Sequence, residues 1–205
     1  MIETPSTVDH LSRLRSIPLE MAQAIAPLYE NADLDRYARF LNAMYHYTIR
    51  SEAQLRSAAS MTDDPPLRAL FLEMADEERG HYKLAEMDLK AIGRSVDLTM
   101  PPSVHAMHEF WESVDRDQVA VLLGALYSFE NVAGHAGSVA MEALTAMGLD
   151  KSQTRFVGVH VLADEHHGKM VDDLCRKYLD AHAGEILSGA QQAADHWVAM
   201  HLAVI

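Results

Sequence analysis

The stretch RFVGVHVLADEHHGKMVDDL at residues 155–174 carries the pattern H-x-x-x-D-x-x-H in an apolar run. Successive residues of an α-helix are about 100° apart, so His160, Asp164 and His167 fall on one narrow face. Two imidazoles and a carboxylate that face a helical core need polar partners, because burying them unpaired is costly. A metal ion is such a partner, and a solvated face or a core hydrogen-bond network is the alternative. The pattern therefore predicts a metal site inside a helical bundle.

Two further segments supply polar groups of the same kind. Glu78 and His81 form E-x-x-H, and Glu130 is a lone carboxylate in an apolar, glycine-spaced helix. Glu77 also reaches the His81 face of a helix and stays an alternative to Glu78. Three carboxylates and three imidazoles suit two ions of iron, or of manganese as the alternative, with positions left open for dioxygen and substrate. The chain has no cysteine cluster of the kind that zinc or an iron–sulfur centre needs.

Other residues near these motifs are candidates for binding a substrate. The candidates for an apolar pocket are Phe40, Met44, Phe129 and Phe156. The candidates for binding a substrate carboxylate are His46, Arg50, Arg155 and Lys169. Tyr127 lies one turn before Glu130, and packing is its expected role. The glycines that would let a helix or a substrate approach closely are Gly124, Gly134 and Gly137.

Composition limits the class of protein. The 205-residue chain is 49% hydrophobic with 10 glycines and 7 prolines, which is typical of a helical bundle built on one core. The formal net charge of −13 argues against nucleic-acid binding. Cys175 is the single cysteine, so an internal disulfide is impossible and a reducing compartment is expected. Without an apolar leader or a membrane-length apolar run, the sequence predicts a cytoplasmic protein with no membrane partner.

Apolar periodicity and capping residues predict helices over most of the chain. The predicted elements are helices between Thr7 and Glu30 broken near Pro18, and helices over about 33–60, 67–92, 101–111, 118–147, 150–182 and 185–204. No segment alternates with a period of two residues, so no sheet is expected. The predicted fold class is an all-α bundle of seven or eight helices in one domain. Within it, 1–32 holds N-terminal helices, 33–182 the metal-binding core and 183–205 a C-terminal helix.

The motifs resemble those of the heme-oxygenase-like diiron oxidases and oxygenases in the order of their ligands, Glu78, His81, Glu130, His160, Asp164 and His167. The resemblance covers about residues 33–182 and implies the seven-helix heme-oxygenase-like bundle, often as a homodimer. It implies that these six residues are both metal ligands and catalytic groups, holding two Fe(II) ions per chain with dioxygen as cosubstrate. Some members place the first glutamate where Met74 stands here, which moves that ligand to Glu78.

The resemblance also implies an oxidoreductase whose partners are a small-molecule substrate and an electron donor. Members oxygenate amine nitrogens, cleave C–C bonds of amino acids oxidatively or convert fatty acids to alkenes. The amino acid, the amine and the fatty acid all stay open as substrates here.

Three other interpretations compete with this one. A ferritin-like diiron carboxylate protein would use Glu52 and Glu130 as its lone glutamates, but it leaves His160 without a role. A heme-binding or heme-degrading protein of the same fold would use His46 as the proximal ligand. A non-enzymatic binding protein is the third. A thiaminase-like role needs a nucleophilic cysteine, and the acidic residues beside Cys175 favour a structural thiol.

Overall fold

The computed structural model describes residues 6–204, except for the side chains of 162–166. Over these residues the chain forms eight α-helices and one short 3-10 helix, with no strand, which confirms the all-α prediction. The helices are α1 (Thr7–Tyr29), α2 (Leu34–Thr48), α3 (Ser51–Met61), α4 (Pro65–Glu77), α5 (Tyr82–Ala91), α6 (Pro102–Ser113), α7 (Val119–Ala146) and α8 (Arg155–Val204), with the 3-10 turn at Arg116–Gln118.

Side-chain caps begin several helices where the sequence predicts them. The Asp33 carboxylate accepts a hydrogen bond from the backbone N–H of Arg36, 2.8 Å away, at the start of α2. Asp64 caps α4 in the same way, and Pro65 occupies the first turn. A carboxylate at this position satisfies a backbone donor that the helix leaves free and favours the positive end of the helix dipole. These caps fix the first turns of the two helices.

Two predicted long helices are each two helices in the structure. The segment 33–60 divides into α2 and α3, and the segment 67–92 divides into α4 and α5. In the second case the physical reason is Gly80, whose φ of 87° lies in the left-handed region. A residue there ends the run of helical hydrogen bonds, and glycine adopts it without steric cost. The turn at 78–81 thus separates α4 from α5.

The predicted break near Pro18 is wrong, because α1 continues through it. Proline removes one backbone donor from a helix interior and strains the preceding turn. Here the apolar residues on both sides, Leu14, Ile17, Met21 and Ile25, are buried in the core. Burial of this continuous stripe outweighs the lost hydrogen bond. The predicted change of direction after His182 is confirmed, since His182 itself has non-helical angles (φ −131°, ψ 26°) within α8.

The two longest helices, α7 and α8, approach so closely that glycine is required at their crossing. A Cβ atom on Gly124 would lie 2.0 Å from the carbonyl oxygen of Ile186. A Cβ atom on Gly189 would lie 1.9 Å from the carbonyl oxygen of Val121. Gly137 is also close to α8, at Val161, whereas among the described residues nothing lies within 4 Å of the Cβ position of Gly134. The expectation of close approach holds for Gly124 and Gly137, and no described neighbour supports it for Gly134.

Apolar side chains pack into two clusters that share α8. One joins α1, α3, α4, α6 and α7 with α8, and the other joins α2 and α5 with the two ends of α8. Cys175 is buried in the first cluster, and burial raises the pKa of its thiol. A high thiol pKa leaves little thiolate at neutral pH, in agreement with a structural role. Among the helices of residues 6–204, none combines the length and apolar character needed to cross a membrane.

Candidate metal centre

A cavity of about 150 Å³ lies between α1–α4, α6 and the α7–α8 pair. The residues from the predicted ligand set that line it are Glu78, His81, Glu130, His160 and His167. The side chain of Asp164 lies outside the described residues. The structure therefore brings together five groups that lie on three separate segments of the chain. Most of the remaining wall is apolar, so these groups form a polar cluster in an apolar enclosure.

The first part of the cluster is formed by Glu78, His81 and His160. The Glu78 Oε1 atom lies 2.8 Å from Nδ1 of His81 and 3.8 Å from Nε2 of His160. One nitrogen or oxygen atom from each residue lies within 4.8 Å of the other two. Ligands that surround one ion at about 2.1 Å lie about 3 to 4 Å apart, so a small inward movement suffices to hold a metal. Mixed carboxylate and imidazole ligands suit iron.

The E-x-x-H pair lies on a turn and not within a helix, contrary to the prediction. Glu78 follows the last residue of α4, and His81 precedes the first residue of α5. Gly80, with its positive φ, lies in the turn between them. Burial alone would raise the pKa of Glu78, but the hydrogen bond and the charge of His81 lower it below its ordinary value. The turn thus presents an ionised carboxylate beside two imidazoles.

His160 is held in the tautomer that a metal ligand needs. Its Nδ1 lies 2.7 Å from the carbonyl oxygen of Phe156, one turn earlier in α8. A carbonyl oxygen can only accept, so Nδ1 carries the proton and Nε2 keeps a free lone pair. Burial also lowers the pKa of His160, which keeps the ring neutral. A neutral imidazole fixed through its other nitrogen is the usual state of a metal-binding histidine.

The second part of the cluster is centred on His167. Its Nδ1–H donates to the Oε2 atom of Glu130, 3.2 Å away, and its Nε2 contacts a carboxylate oxygen of Glu77. The hydrogen bond to Glu130 raises the pKa of His167 to about 9. Burial raises the pKa of Glu130. A protonated His167 therefore places a positive charge beside the carboxylates of Glu130 and Glu77.

Glu77 and Glu78 contact different histidines. Glu78 contacts His81 and His160, whereas Glu77 contacts His167. The Glu77 side chain is 42% exposed, so it reaches the cluster from the rim of the cavity. In this geometry Glu77 lies beside a different imidazole from Glu78, and the choice of Glu78 as the ligand stays a prediction.

The helix that carries His160 is fastened to α5 by Asp88. This carboxylate is 0% exposed, and its Oδ2 accepts from the backbone N–H of Phe156 at 2.8 Å. The Arg155 guanidinium pairs with the other oxygen at 3.1 Å. Asp88 lies on α5, which follows His81, so this contact fixes the first turn of α8 relative to the E-x-x-H turn. The sequence analysis did not identify Asp88.

The rest of the wall contains predicted and unpredicted residues. All four apolar candidates line the cavity: Phe40, Met44, Phe129 and Phe156. The wall residues that the sequence analysis missed include Tyr29, Tyr47, Trp111, Trp197 and His201. The spacing W-x-x-x-H of Trp197 and His201 places both on one face of α8. This shared face of the predicted C-terminal amphipathic helix was the signal in the sequence that could have indicated these two wall residues.

None of the four basic candidates is among the residues that line the cavity, so its wall gives no support to the prediction that they bind a substrate carboxylate. Arg155 pairs with Asp88, and Arg50 with Glu112 on the surface. The Nε2 atom of His46 lies 2.7 Å from the carbonyl oxygen of Asp97, and Lys169 is exposed. Each basic group is turned to another partner or to solvent. Tyr127 is buried away from the cavity, as its packing role requires.

The competing ligand sets are not assembled around the cavity. Glu52 lies on the surface, where its carboxylate pairs with Arg56 and Arg79, so the ferritin-like set lacks one of its lone glutamates. The His46 ring is bonded to the Asp97 carbonyl and does not line the cavity, so it is not placed as a proximal heme ligand. His160, which has no role in the ferritin-like scheme, lies at the centre of the cluster.

The wall histidine His201 is expected to make the folded chain sensitive to acid. Burial lowers its pKa to about 4 from an ordinary value of 6.5. Below about pH 6.5, His201 takes up a proton in the unfolded chain but stays neutral in the folded chain. The contribution of this group to the free energy of unfolding is therefore fully present above its ordinary pKa of 6.5 and is lost as the pH falls towards 4. Between about pH 7 and pH 5 the loss from this group is about 2 kcal/mol.

Urea unfolding of the wild type and of His201→Phe at the two pH values measures this effect. The variant should lose less unfolding free energy on acidification than the wild type. An equal loss in both chains would contradict the assignment of a depressed pKa to His201.

Comparison with known proteins relates this architecture to a family and to several solved structures. A family profile described as iron-containing redox enzyme matches residues 38–198. No curated protein matches the chain significantly. A domain of unknown function with a heme oxygenase-like fold from Shewanella denitrificans OS217 superposes with a TM-score of 0.76 at 17% identity, covering 95% of this chain and 88% of that chain.

Two further crystal structures are similar over nearly the whole chain. A TenA homolog from Pseudomonas syringae pv. tomato str. DC3000 gives a TM-score of 0.77 at 14% identity, covering 98% of this chain and 96% of that one. A CADD-like protein of unknown function from Nostoc punctiforme PCC 73102 gives 0.69 at 16% identity, covering 94% and 98%. At such identities the likeness concerns the fold alone, and the helices follow the heme-oxygenase-like arrangement.

Proposed function

Because the chain belongs to the family of iron-containing redox enzymes, we propose that it is a non-heme diiron oxidase or oxygenase that uses dioxygen to oxidise a small molecule. The observation that carries this proposal is the cluster of carboxylates and imidazoles in an apolar cavity, with His160 presenting an unprotonated Nε2. Iron is the metal of the family, and the mixed nitrogen and oxygen donors of the cluster suit it.

The two parts of the cluster suggest how two ions would be divided. Glu78, His81 and His160 would hold one ion, and Glu130 and His167 would hold the second, completed by Glu77 or Asp164. Bound ferrous iron supplies electrons and a coordination position for dioxygen. Carboxylates on both ions offset most of the charge of two ferrous ions, which an apolar site otherwise tolerates poorly.

The protein groups around the cluster would bind the substrate and exclude water. Phe40, Phe129 and Phe156 form apolar wall beside the polar cluster. An enclosed apolar wall strengthens the electrostatic interactions of the carboxylates by lowering the local dielectric. It also keeps bulk water from competing for the open positions. We propose that the substrate is an organic molecule bound against this wall, and that any additional electrons come from a separate donor.

Titration with ferrous iron under anaerobic conditions, followed by exposure to dioxygen, tests the function. We expect two ions per chain at saturation and dioxygen consumption that depends on the bound iron. A transient visible absorption after mixing would report the reaction, and candidate substrates should speed its decay. Saturation at one ion per chain or fewer, or oxidation no faster than that of free ferrous iron, would contradict the proposal.

A further inference from the structure

The wall of the cavity contains a buried imidazole that the metal cluster does not use. His201 is in the last turn of α8, is only 1% exposed and lines the cavity. Its Nδ1 lies 2.9 Å from the carbonyl oxygen of Trp197, one turn earlier. A buried polar side chain in an apolar wall calls for a partner on its other nitrogen.

The protonation state of His201 follows from that contact. The Trp197 carbonyl oxygen can only accept, so Nδ1 carries the proton and Nε2 is a bare acceptor. Across the described part of the chain, Nε2 has no hydrogen-bond partner. Burial lowers the pKa of the ring to about 4, so it stays neutral near pH 7. His201 therefore offers the cavity one acceptor and no charge.

His201 is separated from the metal cluster by two aromatic rings. The ring centroids of His160 and Phe156 lie 4.2 Å apart, and those of Phe156 and Phe40 lie 6.3 Å apart. The ring centroids of Phe40 and His201 lie 5.5 Å apart. These phenyl rings form apolar wall between the two polar positions. His201 is thus placed to contact a distal part of a bound molecule and not a metal ion.

The charge of the cavity restricts the kind of molecule that fits there. Its only charged lining side chains, among the described residues, belong to the metal cluster, and it contains no lysine or arginine. A carboxylate or phosphate placed beside His201 would find no cation to pair with and would be poorly solvated. Cavities of about 150 Å³ with apolar walls accommodate a molecule the size of benzene, as an engineered example shows. A single ring or a short chain is therefore of the right size.

We infer that His201 accepts a hydrogen bond, through Nε2, from a hydroxyl or N–H group at the distal end of an uncharged and mainly apolar substrate. This inference rests on the proposed function for the identity of the bound molecule as the substrate. It narrows the substrate class to neutral ring or short-chain compounds that carry one donor. A compound of the same shape that lacks the donor should bind more weakly, because it would leave Nε2 of His201 without a hydrogen bond.

Phenol and toluene are suitable probes, because they have nearly the same shape and only phenol donates. Their dissociation constants are measured for the full chain by calorimetry, both metal-free and loaded with Fe(II) without dioxygen. The ratio of the toluene constant to the phenol constant should fall about tenfold from the wild type to His201→Phe. His201→Gln, which keeps an acceptor at a similar distance from the backbone, should restore most of the ratio. His201→Leu replaces His201→Phe if the latter does not fold.

His160→Ala is the matched control, since it should lose iron while keeping the preference for phenol. If the wild-type chain fails to bind iron but still prefers phenol, the proposed function is contradicted and the inference about His201 is supported. Ratios within twofold in the wild type and the apolar variants would overturn the inference about His201. Tighter binding of benzoate than of phenol by the metal-free chain would also overturn it, because the inferred site admits only uncharged ligands.

Discussion

Replacing His160 with alanine is expected to lower the affinity of the chain for ferrous iron by about a hundredfold or more and to abolish iron-dependent dioxygen uptake. The free Nε2 of His160 lies opposite Glu78, in the centre of the first part of the cluster. Even residues that only orient metal ligands change affinity by about 10- to 100-fold, so a direct ligand should matter at least as much. Competition between the protein and a chromophoric iron chelator measures the change.

The control for this substitution is His135→Ala. His135 is an exposed histidine on α7 that does not line the cavity, so the same chemical change there should leave iron affinity within about twofold of the wild type. Circular dichroism shows whether both variants fold. An iron affinity of folded His160→Ala equal to that of the wild type would remove His160 from the ligand set and, with it, the proposed division of the cluster.

The sequence predicted the helices for identifiable physical reasons, and it pointed to polar groups that the structure brings to one cavity. α7 is found at Val119–Ala146 against a prediction of 118–147, because a long apolar pattern ends at Gly148, whose φ of 79° stops the helix. His160 and His167 were found because a polar stripe on an apolar helix needs a partner. Helical spacing predicted which residues of each motif share one face of a helix. It did not predict that the three segments meet at one cavity.

The features that the sequence missed depend on contacts between distant segments. Arg155 appeared free to bind a substrate, yet the buried carboxylate of Asp88, 67 residues earlier, pairs with it. His201 belonged to none of the predicted metal-binding motifs, and its importance comes from burial and from its contact with the Trp197 carbonyl. The break at Gly80 was missed because an isolated glycine within a helical pattern is tolerated in many helices. Each of these outcomes is decided by packing and not by local preference.

Replacing Gly189 with alanine is expected to destabilise the fold by about 3 kcal/mol or more. The added Cβ would lie 1.9 Å from the Val121 carbonyl oxygen and 2.6 Å from its carbon, so it would overlap backbone. Backbone atoms cannot rotate away as a flexible side chain can, and α7 and α8 would have to separate. For a chain of this size the melting temperature should fall by about 10 °C, measured by calorimetry.

Gly134→Ala on α7 is the matched control, because no atom that the structure describes lies within 4 Å of its Cβ position. Alanine is favoured over glycine inside a helix by about 1 kcal/mol, so this variant should melt at or above the temperature of the wild type. Opposite shifts from the same substitution would show that the distance between α7 and α8, and not the helical preference of the residue, decides stability. A Gly189→Ala chain that melts with the wild type would contradict the close crossing of α7 and α8.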